Sequence, residues 1–276
     1  MCIRDRYDPN AAEVNPMKMA LALRRALERM GVSVYESSPV LEVREGRIMH
    51  MRVGGPDGRL KRVAAKAVVL GTDAYTSRLG LFMNRLIVAH TEMAATSPLG
   101  EETFEKIGWV RRIPFHDDRI FLYHFGTTED NRITIGAGNA EYFYGDGLQY
   151  KKDLDLRRTA LCKELVRVFP GLNGVKFEYL WTGPLSLTTD MSPSEGVTGE
   201  YGNIYYGLGY AGHGVCLAYL FGKVIADQYT GCGEKWKGMP FYKKPFGYIP
   251  PEPFKYLVVK SYLSYLRFLD RWRNRG

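Results

Sequence analysis

A glycine-rich stretch between a β-strand pattern and an apolar helical pattern decides the fold. It reads Gly207-Leu208-Gly209-Tyr210-Ala211-Gly212-His213-Gly214-Val215. A strand is predicted over 201–209, and a helix that is apolar nearly all round, and therefore expected to be buried, is predicted up to Tyr229. The free N–H groups and the dipole of a helix start favour an anion. The stretch predicts either a ligand-binding helix start or a tight helix–sheet crossing that needs small residues.

Two further junctions place small and polar residues at strand ends. Gly71-Thr72-Asp73-Ala74-Tyr75 follows a buried strand predicted over 67–70, and open α/β sheets bind ligands at the carboxyl ends of parallel strands. The alternative there is an ordinary strand end with a capped turn. Asp190, in Thr189-Asp190-Met191-Ser192-Pro193, precedes the glycine-rich strand, and an Asx turn is the alternative for this residue.

The first half of the chain predicts one helix and a series of short strands. Residues 1–14 are predicted as a loop. Asn15 and Pro16 are typical of a helix start, and Gly31 of a helix end. A strand over 32–35 and a β-meander over 40–44, 48–53 and 60–63 follow, with turns at the Gly-rich segments between them.

From about Arg85 to Trp181 the pattern becomes α+β. Strands are predicted over 86–96, 110–115, 120–125, 132–136 and 177–187, and helices over 101–107 and 153–169. A last amphipathic helix is predicted over 256–272, after a connector rich in Gly, Pro and Lys. The fold class is therefore α/β plus α+β, in two interleaved parts.

Composition excludes several other classes of protein. The 276 residues carry a net charge of +8, with 45% hydrophobic and 25% charged residues, which is an ordinary globular balance. The scattered Cys2, Cys162, Cys216 and Cys232 predict neither a zinc site nor a disulfide framework, and no metal is expected. The same scatter of cysteines predicts a reducing, cytoplasmic compartment. No apolar run approaches the ~20 residues that span a bilayer.

Taken together, these motifs resemble the D-amino-acid and glycine oxidase (DAO) family of FAD-dependent oxidoreductases, nearest its γ-glutamylputrescine-oxidase-like branch. The resemblance covers nearly all of residues 15–231 and includes the junction at 71–75, the Arg132 hairpin, and Trp181, Gly183, Asp190, Pro193, Gly196 and 209–215. It implies the C-terminal part of a Rossmann-like FAD-binding domain, interleaved with an antiparallel-sheet substrate domain. The FAD would be held without a covalent bond, because 183–189 contains no Cys.

The resemblance also implies site residues and a reaction. FAD would be touched by Val40, Thr72, Asp73, Ala74, Asp190, Gly209, Tyr210, Gly212, His213, Gly214 and Val215. The C–N bond of a small amine or amino acid would be oxidised by hydride transfer to flavin. Tyr123, Arg132 and His213 are the candidate catalytic residues. For Arg132 a surface salt bridge is the alternative to a substrate carboxylate, and for His213 a bond to local backbone is the alternative.

One departure from the family predicts a truncated chain. Relatives begin with strand–G-x-G-x-x-G–helix, and these residues contain no such element before Asn15. The predicted division is 15–84 partial FAD-binding domain, 85–180 substrate domain, 181–232 return to the FAD-binding domain, and 233–276 basic connector and helix. Such a fragment is expected to be inactive alone. The alternatives are a flavoprotein domain acting on RNA, although no nucleic-acid partner is expected, or a non-catalytic module contacting a membrane surface through the last helix.

Overall fold

The computed structural model describes residues 12–273, so most of the loop predicted over 1–14 lies outside the described residues. The described chain forms the helices α1 (Pro16–Arg29), α2 (Glu101–Lys106), α3 (Leu154–Val168), α4 (Gly214–Tyr229) and α5 (Phe254–Arg273). Its strands are β1 (Val40–Arg44), β2 (Met49–Gly54), β3 (Leu60–Ala65), β4 (Val68–Leu70), β5 (Ile87–Thr96), β6 (Phe115–His116), β7 (Tyr123–Thr127), β8 (Ile133–Ala137), β9 (Glu141–Tyr142), β10 (Phe177–Leu187), β11 (Ser194–Thr198) and β12 (Ile204–Leu208).

The chain divides into two compact units, each assembled from separate stretches of sequence. The mixed unit consists of Val14–Val88 and Leu185–Pro250. Among the described residues, the antiparallel unit consists of 12–13, Ala89–Pro184 and 251–273. The fold class is mixed, with α/β and antiparallel β structure, as the sequence predicts.

The mixed unit contains two three-stranded sheets. The predicted β-meander is confirmed, with β1, β2 and β3 paired antiparallel in that order. In the second sheet β12 lies between β11, its antiparallel partner, and β4, its parallel partner. The predicted start of α1 is also confirmed, because Asn15 Oδ1 accepts a hydrogen bond from the N–H of Lys18 at 3.0 Å and Pro16 stands at the first helical position.

The antiparallel unit is built on a sheet with the strand order β10-β5-β8-β7-β6, and β9 pairs with β5. One face of this sheet packs on α3, where Phe125, Ile133 and Ile135 are buried with Leu161 and Leu165 in one core. Because side chains alternate across a strand, the residues between these core positions point to the opposite face of the sheet.

Three predictions from the pattern are wrong. Residues 32–35 form no strand, and Val32 and Val34 are exposed, so their β-branched side chains mark no buried strand here. Residues 110–114 are turn and irregular structure, and in this segment Phe115–His116 pair with β7. Helix α4 is not buried all round: it buries Phe221, Val224 and Ile225, while its other face is exposed.

Candidate functional site

The glycine-rich stretch forms the loop between β12 and α4 in the mixed unit. Gly209 has φ +76°, and a Cβ at this position would stand 2.6 Å from Cγ2 of Thr188, so both the backbone and the space require glycine. His213 is the N-cap of α4, and it makes no side-chain hydrogen bond to the helix start. A Cβ on Gly212 would meet no atom within 4 Å. The start of α4 is therefore uncapped and faces open space.

Asp73 anchors this loop from the end of β4. Its Oδ1 accepts a hydrogen bond from the N–H of Gly209 at 3.1 Å, and its Oδ2 accepts one from the N–H of Ser186 at 3.1 Å. The hydroxyl of Ser186 donates to Asp73 and also accepts from the N–H of Gly209 at 3.1 Å. This Asp73 clamp joins three strand ends: those of β4, β10 and β12.

The neighbours of Asp73 have different roles. The hydroxyl groups of Thr72 and Thr76 share a hydrogen bond of 2.8 Å, and Ala74 is buried. The Thr72–Thr76 hydrogen bond and the buried Ala74 hold the 3-10 turn Asp73–Leu79 in place. The three residues expected to touch FAD at this junction thus present a structural carboxylate, a hydroxyl bonded to its own turn, and a buried methyl group.

Asp190 reaches the same loop through Thr188. Its Oδ1 accepts hydrogen bonds from the hydroxyl of Thr188 and from the N–H of Ser192, each at 3.1 Å, and Lys244 forms an ion pair with Oδ2. The Lys244 hydrogen bond is the main cause that lowers the pKa of Asp190. Thr188 also packs on Gly209, so this part of the sequence-predicted site is brought together.

Tyr210 lies between the loop and α4. Its ring centroid is 5.5 Å from that of Phe221, and Cβ of Tyr210 is 3.7 Å from where a Cβ on Gly214 would stand. Burial, with a smaller contribution from the Asp73 charge, raises the pKa of Tyr210 to about 12, so the phenol stays neutral near pH 7. Val215 in the first turn of α4 is exposed.

Val40 is the one predicted cofactor residue that lies on another sheet. It begins β1, opposite Val53, and its side chain is exposed. Among the described residues, no hydrogen bond or packed cluster joins it to the Asp73 clamp.

The predicted catalytic residues of the antiparallel unit are engaged with their neighbours. The guanidinium of Arg132 binds Glu178 and Asp130, each at 2.6 Å, and donates to the carbonyl oxygen of Thr96 at 2.9 Å. Tyr123 packs against the α3 core, with the Arg119 guanidinium carbon 4.4 Å from its ring centroid. The structure therefore places Arg132 in an ion-pair network and Tyr123 on the covered face of the sheet.

The opposite face of that sheet carries His124, which the sequence places on a strand expected to line the substrate side. His124 follows Tyr123 on β7 and so points away from the core. A Cβ on Gly136 would stand 2.4 Å from Nε2 of His124 and 2.8 Å from Cγ of Met93. Both side chains therefore pack directly over the Gly136 backbone. Burial, followed by the nearby His116, lowers the pKa of His124. The signal in the sequence was Gly136 within a strand, which indicates close approach of another group.

Ser186 was not among the predicted site residues. In Leu185-Ser186-Leu187-Thr188 the leucines are half-buried, whereas Ser186 and Thr188 are fully buried because they bind Asp73 and Asp190. A hydrophobicity pattern assigns the two faces of this segment the other way round, since it takes no account of a buried carboxylate.

Comparison with known proteins identifies the family. Residues 4–228 match the family model DAO, described as FAD dependent oxidoreductase. The chain is 29% identical over 271 residues to γ-glutamylputrescine oxidoreductase of Escherichia coli, covering 94% of this chain and 59% of that protein. It is 26% identical over 275 residues to the probable oxidoreductase OrdL of Haemophilus influenzae, covering 97% and 58% respectively. It thus spans about six-tenths of the length of these relatives.

Solved structures share the fold at low sequence identity. Glycine oxidase from Geobacillus kaustophilus superposes with a TM-score of 0.61 at 19% identity, covering 83% of this chain and 55% of that one. Fructosyl amine:oxygen oxidoreductase from Aspergillus fumigatus gives 0.63 at 16% identity, covering 83% and 54%. With the family match extending over most of its length, this chain belongs to the DAO family of FAD dependent oxidoreductases.

Proposed function

We propose that this chain supplies the part of an FAD-dependent oxidoreductase that binds the flavin ring and an amine or amino-acid substrate. The observation that carries the proposal is the uncapped start of α4, held in place by the Asp73 clamp. An uncapped start of a helix of 16 residues presents N–H groups and the positive end of a dipole to whatever lies in front of it.

These residues fit a flavin. The space in front of Gly212 is open, and a ring edge there would be met by the N–H groups of the first turn of α4. A reduced flavin carries negative charge on one edge of its ring, and a helix start stabilises such charge. When bound, FAD supplies the two-electron chemistry that oxidation of a C–N bond requires. Gly209, Gly212, Gly214 and the neutral Tyr210 would surround the ring, with non-covalent binding.

The antiparallel unit would contribute the substrate side. The lowered pKa of His124 keeps its imidazole neutral near pH 7, so that it can accept a hydrogen bond from a substrate N–H group. Arg132 remains our candidate for a substrate carboxylate, which would have to compete with Glu178 and Asp130. His213 is exposed at the helix start and remains the candidate for a hydrogen bond to the ring or the substrate. Tyr123 remains a candidate catalytic residue through its hydroxyl group.

We further propose that turnover requires a separate dinucleotide-binding strand–G-x-G-x-x-G–helix segment, in addition to the run Gly207–Gly212 between β12 and α4. In the described part of the chain, β4 is an edge strand that pairs only with β12. Val69 in β4 is 60% exposed, although the strand sequence is wholly apolar. An apolar edge strand of this kind is the position at which further parallel strands would extend the sheet.

Flavin titration of the chain tests the site. The change is Gly214→Val, because a Cβ at Gly214 makes only ordinary contacts, the nearest at 3.7 Å from Tyr210. We expect the apparent affinity for FAD, followed by the visible flavin spectrum, to fall at least about tenfold, since the larger side chain would crowd the first turn of α4 beside Tyr210. The free energy of unfolding without flavin should stay nearly unchanged.

Gly238→Val is the control in the same unit, because a Cβ at Gly238 meets no atom within 4 Å and the residue lies outside the proposed ring site. Equal flavin responses from the wild type and Gly214→Val would sink the assignment of the ring site. Steady amine oxidation by the chain alone would sink the requirement for an added dinucleotide-binding segment.

A further inference from the structure

Helix α5 carries charged side chains on its packed face and apolar side chains on its exposed face, an arrangement that amine oxidation does not explain. The face turned toward the antiparallel unit carries charges. Lys255 is buried in an ion pair with Asp146, Lys260 lies 3.3 Å from Glu141, and the carboxylate of Asp270 accepts the N–H groups of Ile120 and Phe121 at 2.8 and 2.9 Å. These polar contacts, with buried Val259 and Leu263, fix the rotation of the helix about its axis.

The outward face is apolar. Its large side chains recur at helical spacing, and each is more than half exposed: Phe254, Leu257, Val258, Tyr262, Tyr265, Phe268 and Trp272. We call this set the aromatic stripe. It runs along a helix of 20 residues, or about 30 Å. Tyr262 is turned outward because Lys260 and Arg267 take the inward positions.

The charges around the stripe favour an anionic partner. Asp270 is turned inward and the first helical turn has no acidic residue, whereas Arg271 and Arg273 are exposed in the last turn. Arg271 also lines a cleft of about 720 Å³ in the same unit, together with three other arginines and two carboxylates: Arg119, Arg157, Arg267, Glu141 and Asp270. The exposed Arg271 and Arg273 thus stand at the Trp272 end of the stripe.

We propose that α5 lies on the surface of an anionic lipid bilayer, with the aromatic stripe in the interface and its C-terminal arginines against lipid phosphates. Tyr, Trp and Phe are the side chains that favour the boundary between head groups and acyl chains, and arginine binds phosphate well. No helix of the described chain is long and apolar enough to cross a membrane, so the contact would be peripheral.

Vesicle flotation tests the proposal, because aggregated protein sinks and only lipid-bound protein rises. The 276-residue chain is mixed with vesicles of phosphatidylcholine alone, or of an equal mixture of phosphatidylcholine and phosphatidylglycerol. We expect the protein to float with the mixed vesicles. The stripe variant Tyr265→Ser/Phe268→Ser/Trp272→Ser should bind them at least about tenfold more weakly, because it loses three interfacial aromatic side chains.

The matched control replaces three exposed apolar residues elsewhere in the same unit: Val110→Ser/Ile113→Ser/Leu156→Ser. It should bind like the wild type. A third variant, Arg271→Gln/Arg273→Gln, should lose about fivefold per arginine on the mixed vesicles and nothing on phosphatidylcholine. Unfolding curves of all variants exclude loss of fold as the cause.

Three results would overturn the proposal. The first is wild-type protein that does not float with either vesicle. The second is equal loss of binding in the control and the stripe variant. The third is a concentration-dependent dimer, seen by sedimentation velocity, that the stripe variant abolishes while lipid binding is absent, which would make a second copy the occupant of the stripe.

Discussion

Replacing Asp73 by alanine should destabilise the mixed unit more than any other single change at the site. The carboxylate accepts three hydrogen bonds, from the N–H groups of Ser186 and Gly209 and from the hydroxyl of Ser186. Ser186 is fully buried, so water cannot replace the lost acceptor there. The N–H of Gly209 keeps a second acceptor in the Ser186 hydroxyl at 3.1 Å.

The magnitude follows from these contacts. A hydrogen bond to a charged group contributes about 1.5–3 kcal/mol, and a buried donor left without a partner costs about 1–3 kcal/mol. With one donor partly rescued, Asp73→Ala should lower the free energy of unfolding by about 4 kcal/mol. Asp73→Asn keeps one carbonyl oxygen and should cost about 2 kcal/mol, and Ser186→Ala about 1 kcal/mol.

Urea unfolding followed by circular dichroism measures these differences as shifts in midpoint at constant slope. The double variant Asp73→Ala/Ser186→Ala closes a mutant cycle, and the coupling between the two residues should exceed about 1 kcal/mol because they share hydrogen bonds. A loss below about 0.5 kcal/mol for Asp73→Ala, or strict additivity in the cycle, would refute the clamp.

Other substitutions test other contacts. Burial is the main cause that raises the pKa of Glu195 to about 7, so its protonated form is favoured in the folded state. The free energy of unfolding should then fall as pH rises from about 4.5 to 7, by at most ~1.4 kcal/mol per pH unit, and thermal unfolding of Glu195→Gln across this range should lose that slope. Arg132→Gln should lower the melting temperature through its lost ion pairs and Thr96 contact, and an unchanged melting temperature would contradict this. Gly209→Ala should cost about 2–4 kcal/mol in urea unfolding, because its φ is positive and Thr188 is too close; a loss below 1 kcal/mol would refute that packing.

Much of the fold could be predicted because local signals and tertiary structure agree. Asn15-Pro16 starts α1, the turns around Gly46 and Gly55 separate the meander strands, and glycines precede α4. Each of these residues acts on its immediate neighbours in sequence, which is the information that a pattern contains.

The rest depends on contacts between distant residues. Nothing near Asp73 in sequence reveals that its partner is Ser186, and nothing in α5 reveals that Lys260 and Arg267 pair with Glu141 and Asn139 and so turn the aromatic side chains outward. Hydrophobic periodicity assumes that charge faces water. It fails where a buried carboxylate or a charged inner face reverses that rule.

The pairing of β4 with β12 also bears on the order of events during synthesis. Val68 pairs with Ile204, so the second sheet of the mixed unit cannot close until the ribosome has delivered residues far beyond its first strand. The stretch Ala89–Pro184, which contains the whole α3 core, emerges in between and can collapse first. Until then the edge of Val68–Leu70 that pairs with β12 is open on the nascent chain, so aggregation through this apolar strand is most favoured in this interval.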